Sequence, residues 1–146
     1  MSLSDWSSNG WLAEHQTTRE EIAALLALSD RDLRDAKKGR LSTDWQFNIA
    51  YNAALQVALA ALAASGYRPA RGGPHHHYAI QSLAFTLSVD SNTIRLLDRF
   101  RKKRNAAEYD QVGAVSGQEV KEMLELATEL RQQIRLWLSE NHPSLT

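Results

Sequence analysis

The sequence predicts an all-α protein, and more narrowly an antiparallel up-down bundle of four to five helices. The 146 residues include only three prolines and seven glycines, which fall at segment ends and leave long windows open to helices. Within those windows apolar residues recur every three or four positions, the spacing of one helix face, and no segment alternates convincingly with the period of two that marks a strand. The length suits one domain with an ordinary hydrophobic core.

The helical bundle is expected to span residues 17–142, with an N-terminal extension over residues 1–16 and a short tail over residues 143–146. The first helix is predicted to begin at Thr17 or Thr18. Each of these hydroxyls is followed three residues later by a glutamate, the pattern of a capping box in which both side chains satisfy backbone amides.

Gly39 is expected to end this first helical region, with a break near Ser29 and Asp30. A second, alanine-rich helix is predicted from Thr43 to Gly66, because a hydroxyl cap stands at its start and a glycine at its end. Its many alanines would let a neighbouring helix approach closely.

The second half of the chain is expected to hold two further helices. Residues 67–74 read as a loop because they contain two prolines and two glycines. A third helix is predicted to begin among the histidines at 75–77, with caps or a kink at the polar residues 90–93. A connector over 112–117 precedes the last helix, which starts with a capping box and stops at Pro143.

The composition excludes several classes of function. The chain has 17 basic and 17 acidic side chains, so no global charge excess indicates a nucleic-acid or membrane partner. Without cysteine it can form no disulfide, thiolate metal site or catalytic thiol. The start of the chain lacks a signal-peptide pattern, and the apolar run at 53–64 is shorter than the roughly 20 residues that span a bilayer. We therefore expect a cytoplasmic protein that does not enter membranes.

The densest charge feature is a run of basic residues on the predicted third helix. Its members are Arg95, Arg99, Arg101, Lys102, Lys103 and Arg104. Within that window only Asp98 opposes them. The run is either a solvated helix face that pairs with acids of the last helix, such as Glu119, Glu122 and Glu125, or a surface that contacts phosphates.

The residues that follow this run are more specific. Residues 104–110 read RNAAEYD, in which Arg104 and Asn105 match the start of a motif of Arg, a polar residue, three further residues and His. In this motif the sequence resembles the HEPN family (higher eukaryotes and prokaryotes nucleotide-binding). Residues 44–68, DWQFNIAYNAALQVALAALAASGYR, and residues 76–87, HHYAIQSLAFTL, are similar to a bacterial branch of that family. The resemblance covers roughly residues 17–138.

The resemblance implies a function and partners. Many HEPN proteins are metal-independent endoribonucleases that bring two copies of the motif together in a homodimer, and many are toxins paired with a nucleotidyltransferase antitoxin. By this resemblance Arg104 would hold the scissile phosphate, with Asn105 beside it. Arg99, Arg101, Lys102 and Lys103 would contact the RNA backbone. No metal or other cofactor is expected.

The sequence departs from the family motif at Tyr109, which stands where the motif has His. A phenol, with an ordinary pKa of about 10, is a poor base near neutral pH. Three explanations stay open: Tyr109 acts as an acid or hydrogen-bond donor, Glu108 or Asp110 serves as the base, or the site binds without cutting.

Three adjacent histidines, His75, His76 and His77, form a second candidate cluster. Successive helical residues point about 100° apart, so three neighbours do not readily converge on one metal ion. We expect His76 to support the site at the edge of a dimer cleft. Two alternatives to a ribonuclease remain: a noncatalytic HEPN module that binds RNA, a nucleotide or a nucleotidyltransferase, and a purely structural helical domain.

Overall fold

The computed structural model describes residues 1–38, 40–109 and 115–146, without the side chains of residues 106–109. Within these ranges the chain forms six α-helices, a two-stranded sheet and a final turn of 3-10 helix, so it is mostly helical as predicted. In chain order the elements are α1 (Leu3–Ser8), β1 (Leu12–Glu14), α2 (Arg19–Ala36), α3 (Thr43–Ala64), β2 (Tyr67–Pro69), α4 (His75–Ser82), α5 (Ser91–Tyr109), α6 (Gly117–Asn141) and the 3-10 turn (Pro143–Leu145). The predicted helix end at Gly39 and most of the predicted connector fall outside the described residues.

The N-terminal segment contains structure that the sequence pattern did not predict. Strand β1 pairs antiparallel with β2, with Leu12 opposite Pro69 and Glu14 opposite Tyr67. The prediction that no strands form, and that residues 67–74 are all loop, was therefore wrong for β1 and β2. Each strand has only three residues, too few to display a period of two. The pairing matters because it satisfies backbone groups next to the buried Leu12.

Helix α2 begins at Arg19, and its N-cap is Thr18, whose hydroxyl accepts a hydrogen bond from the backbone N–H of Glu21 at 3.1 Å as predicted. The predicted capping box forms only in this half, since the carboxylate of Glu21 accepts from the hydroxyl of Thr17 at 2.8 Å and not from the backbone of Thr18. The predicted break near Ser29 and Asp30 is wrong, since the helix runs without interruption to Ala36. Ser29 is fully buried, and its hydroxyl donates to the backbone carbonyl of Ala53 at 2.9 Å. That bond gives a polar residue a partner inside the helix interface, so no break is needed.

Helix α3 forms the centre of the core. Its small alanine side chains are almost all buried, and α2 and α6 both pack against it. Among the described residues it is the helix whose length and hydropathy would allow a membrane span, yet 67% of its most apolar window is buried inside the protein. A core helix has the same composition, and the burial favours that reading.

The predicted third helix is two helices, α4 and α5. The interruption begins after Ser82, earlier than the predicted kink at residues 90–93, and Ser88 takes a left-handed backbone conformation with φ of 58°. Asp90 then accepts hydrogen bonds from the backbone N–H and the hydroxyl of Thr93, which favour a new helix start at Ser91. The break allows α4 and α5 to pack against each other while both contact α3.

Helix α6 begins at the predicted capping box, in which Ser116 and Glu119 each accept a hydrogen bond from the other's backbone N–H. Residues at spacings of three and four along the helix face α3 and the core. The buried members of this stripe are Val120, Met123, Leu126, Ala127, Leu130, Ile134 and Leu138. The helix ends at Asn141, shortly before Pro143 as expected.

Candidate functional site

Helix α5 places the guanidinium of Arg104 against Tyr51 of α3. The guanidinium carbon lies 5.4 Å from the centroid of the phenol ring, within the range of a cation–π contact. Arg104 is half-buried, whereas Tyr51 is fully buried in the core. The motif arginine is therefore fixed to the body of the protein while part of its side chain stays accessible.

Tyr51 is an unusual core residue because its hydroxyl has no hydrogen-bond partner among the described residues. Burial raises the pKa of Tyr51 to about 12, although the positive charges of Arg104 and Arg101 act in the opposite direction. At neutral pH the phenol is protonated. It can therefore offer a proton for a hydrogen bond, but it cannot act as a base.

Helix α4 brings two of the three adjacent histidines to this place. The imidazole ring of His76 lies 5.9 Å from the ring of Tyr51, tilted by 40°, and His77 points its Nδ1 toward Asp98 of α5. His75 is exposed. Among the described residues no three His, Asp or Glu side chains are arranged to hold a metal ion. The predicted supporting position of His76 thus lies next to the ring that Arg104 also contacts.

Asp98 is the acid around which the basic groups of α5 are organised. One of its oxygens, Oδ1, accepts a hydrogen bond from Arg101 Nε at 3.0 Å and lies 3.6 Å from His77 Nδ1. Its second oxygen, Oδ2, lies 3.4 Å from Lys102 Nζ. Burial alone would raise the pKa of Asp98, but the hydrogen bonds and charges of Arg101 and Lys102 outweigh it and lower that pKa. The carboxylate is ionised and holds three cationic or basic side chains together.

The rest of the basic run divides between paired and exposed side chains. Lys103 pairs with Glu119 of α6 at 3.4 Å, which is the predicted pairing with an acid of the last helix. Arg99 is exposed, with its guanidinium carbon 5.8 Å from the ring centroid of Phe100. Arg95 donates a hydrogen bond to the side chain of Asn92. Pairing with an acid of the last helix therefore describes Lys103, while phosphate contact by the exposed residues stays a prediction.

The predicted motif residues are only partly described. Asn105 follows Arg104 on α5 and is exposed. Glu108 and Tyr109 belong to the end of α5, but their side chains lie outside the described residues, and so does all of Asp110. The predicted arrangement of Arg104, Asn105 and Tyr109 as one catalytic set therefore stays a prediction.

The sequence did not indicate three residues whose contacts join α3, α4 and α5 at the site. Tyr51, His77 and Asp98 come from α3, α4 and α5, and no local spacing reveals that they are neighbours. Two of them had a usable signal: Asp98 is the single acid in the basic run, and His77 belongs to the histidine cluster. Tyr51 carries no such signal, because an aromatic residue within an apolar helix indicates burial and not a site.

The site is thus a polar seam, defined here as Tyr51, His76, His77, Asp98, Arg101 and Arg104. It combines guanidinium groups, which can bind a phosphate, with imidazole rings, which carry both hydrogen-bond donors and acceptors. Comparison with known proteins adds no relative: no protein-family model, curated protein or solved structure matches the chain.

Proposed function

We propose that this chain is a HEPN-type, metal-independent endoribonuclease of a toxin-antitoxin or defence system, with an antiparallel helical bundle as its scaffold. Arg104 binds the scissile phosphate, Asn105 supports it, and Tyr109 stands at the position of the motif His. Arg99, Arg101, Lys102 and Lys103 guide the RNA backbone. The active form is a cytoplasmic homodimer in which two copies of the motif face a common cleft.

One observation carries the proposal: Arg104 is half-buried, lies against the fixed ring of Tyr51, and has the basic side chains of α5 next to it. A guanidinium held in this way has already lost part of its freedom, so less entropy is lost when it binds a phosphate. Arg101 is similarly held, since its side chain is 19% exposed and bonded to Asp98.

The chemistry suited to these groups is cleavage of RNA without a metal. The 2′-hydroxyl attacks the adjacent phosphorus, and the positive charge of Arg104 stabilises the additional negative charge on the phosphate oxygens in the transition state. The reaction requires a ribose 2′-hydroxyl as the nucleophile, so DNA is not a substrate.

The proposal is tested by incubating structured and unstructured RNA with the protein in the presence of EDTA. Cleavage that survives EDTA and disappears in Arg104→Gln supports it. Arg135→Gln serves as the matched control, because Arg135 is an exposed arginine of α6 outside the seam. Cleavage that needs a divalent ion, or that is unchanged in Arg104→Gln, would exclude the proposed reaction.

A noncatalytic HEPN module is the second candidate, and the specific observation in its favour is Tyr109 in place of the motif His. Such a module binds RNA, a nucleotide or a nucleotidyltransferase partner without cutting. Binding of RNA with no cleavage, or a stable complex with a co-expressed nucleotidyltransferase that is lost on charge reversal at Arg101 or Lys103, would select this function.

A further inference from the structure

We propose that His77, oriented by Asp98, is the group that transfers the proton in RNA cleavage, in the role that a His at position 109 would otherwise fill. The inference rests on the proposed ribonuclease function and names the base that the motif lacks. His77 is a candidate catalytic residue, and Asp98 is its positioning residue.

His77 shares the carboxylate of Asp98 with Arg101. Its Nδ1 lies 3.6 Å from Asp98 Oδ1, and the same oxygen accepts the hydrogen bond of Arg101 Nε at 3.0 Å. An imidazole and a guanidinium thus approach a single oxygen atom from α4 and α5. Arg104 follows Arg101 by three residues on the same face of α5, so a scissile phosphate held at Arg104 lies on the face of α5 that the imidazole approaches.

Asp98 orients the imidazole ring of His77. The carboxylate of Asp98 faces Nδ1, so it favours the tautomer with the proton on that nitrogen and leaves Nε2 as the acceptor. A separation of 3.6 Å is longer than a hydrogen bond, and contacts of this kind commonly shorten when the substrate binds. The negative charge of Asp98 also stabilises the imidazolium that forms when Nε2 takes a proton.

The imidazole of His77 is accessible from solvent. The side chain of His77 is 39% exposed, whereas that of Asp98 is 19% exposed. The imidazole can therefore meet a substrate, and the acid that orients it is the less exposed of the two groups. His76 differs, because its ring is turned against Tyr51 in the core.

The reaction balances with His77 as the base and water as the acid. Neutral Nε2 takes the proton of the 2′-hydroxyl as the 2′ oxygen forms a bond to phosphorus. The bond from phosphorus to the 5′ oxygen breaks on the opposite side of the phosphorus, where the leaving oxygen takes a proton from water, and the imidazolium gives its proton to the solvent. The products are a 2′,3′-cyclic phosphate and a 5′-hydroxyl, and the imidazole is neutral again. No oxidant, metal or added co-reactant is consumed.

The test measures RNA cleavage and RNA binding for the full-length protein in EDTA. In His77→Ala we expect cleavage to fall by at least about 100-fold, the lower end of the usual contribution of a general acid or base. RNA affinity should change little. His75→Ala is the matched control, since it removes an exposed histidine from the same helix and should leave both measurements unchanged.

A second readout separates proton transfer from a structural role. Free imidazole added to His77→Ala should restore part of the cleavage, and the rescued rate should rise with the concentration of neutral imidazole. Asp98→Asn should slow cleavage and shift the pH dependence of the cleavage rate, because an uncharged amide does not stabilise the imidazolium as the carboxylate does.

The outcomes distinguish this inference from the proposed function. Normal cleavage by His77→Ala, loss of cleavage in His76→Ala alone, or no rescue by imidazole would overturn the role of His77 and leave the ribonuclease standing. RNA binding by the wild-type protein without any cleavage would overturn it as well and select the noncatalytic module. Absence of both binding and cleavage would remove the proposed function itself.

Discussion

The guanidinium of Arg104 lies over the ring of Tyr51, with 5.4 Å between the guanidinium carbon and the ring centroid. This contact joins the predicted phosphate-binding arginine of α5 to a fully buried residue of α3. The ring, rather than the hydroxyl, makes the contact. Tyr51→Phe therefore keeps this contact and removes only the hydroxyl.

Replacing Tyr51 with Phe should hardly change stability at neutral pH. The hydroxyl is buried without a hydrogen-bond partner among the described residues, so its removal releases a desolvated polar group. We expect the free energy of unfolding to stay within about 1 kcal/mol of the wild-type value or to rise. Urea denaturation at pH 7 checks this, and a loss well above 2 kcal/mol would show that the hydroxyl has a strong partner.

The same variant should remove part of the alkaline sensitivity of the fold. The pKa of Tyr51 is raised to about 12 in the folded protein and lies near 10 in the unfolded chain. As the pH rises, the unfolded chain therefore releases this proton before the folded protein does. The contribution of the Tyr51 hydroxyl to the free energy of unfolding is intact below pH 10 and is lost as the pH rises from 10 to 12. Between pH 10 and 12 the free energy of unfolding of the wild type should fall more steeply than that of Tyr51→Phe, by at most about 1.4 kcal/mol per pH unit. Denaturation at each pH measures both slopes.

Asp98→Asn should destabilise the protein at pH 7 and much less in acid. The pKa of Asp98 is lowered in the folded protein, so this carboxylate stabilises the fold at any pH above the ordinary carboxyl pKa. The stabilisation disappears as the pH falls through the pKa that Asp98 has in the folded protein. We expect a loss of roughly 1 kcal/mol at pH 7, where the hydrogen bond from Arg101 is charge-assisted. Equal losses at pH 7 and pH 3, measured by urea denaturation, would contradict this origin.

Glu119 should matter more to stability than its partner Lys103. The side chain of Glu119 accepts a hydrogen bond from the backbone N–H of Ser116 in the capping box of α6, and also pairs with Lys103. We expect Glu119→Ala to cost about 1 kcal/mol, and Lys103→Ala to cost less than about half of that, because partly exposed ion pairs contribute little. Thermal unfolding of both variants gives the comparison, and equal losses would assign the effect to the ion pair.

The sequence predicted the features that depend on local chemistry. The hydroxyl caps at Thr18 and Ser116 and the end of α3 before Gly66 follow from residues within one helical turn, and the structure confirms each of them. The strand pair β1 and β2 escaped prediction because its stability depends on a partner more than 50 residues away. Both strands form because they pair with each other across the fold, and local sequence does not determine such pairing.

The same division holds for the candidate site. The spacing of the motif indicated Arg104, but the contact with Tyr51 and the position of His77 beside Asp98 depend on how α3, α4 and α5 pack. The break after Ser82 is essential to that packing, and its position differs from the predicted kink by several residues. No pattern within α4 indicates which of three adjacent histidines faces the acid.

The salt dependence of RNA affinity tests most directly whether Arg104 contacts a phosphate. Binding of single-stranded RNA in EDTA should weaken as salt rises, because each neutralised phosphate releases counterions. For Arg104→Gln the slope of log affinity against log salt should decrease in magnitude by about 0.7, the value expected for one lost contact, while Arg135→Gln should keep the wild-type slope. Identical slopes for wild type and Arg104→Gln would show that this guanidinium touches no phosphate.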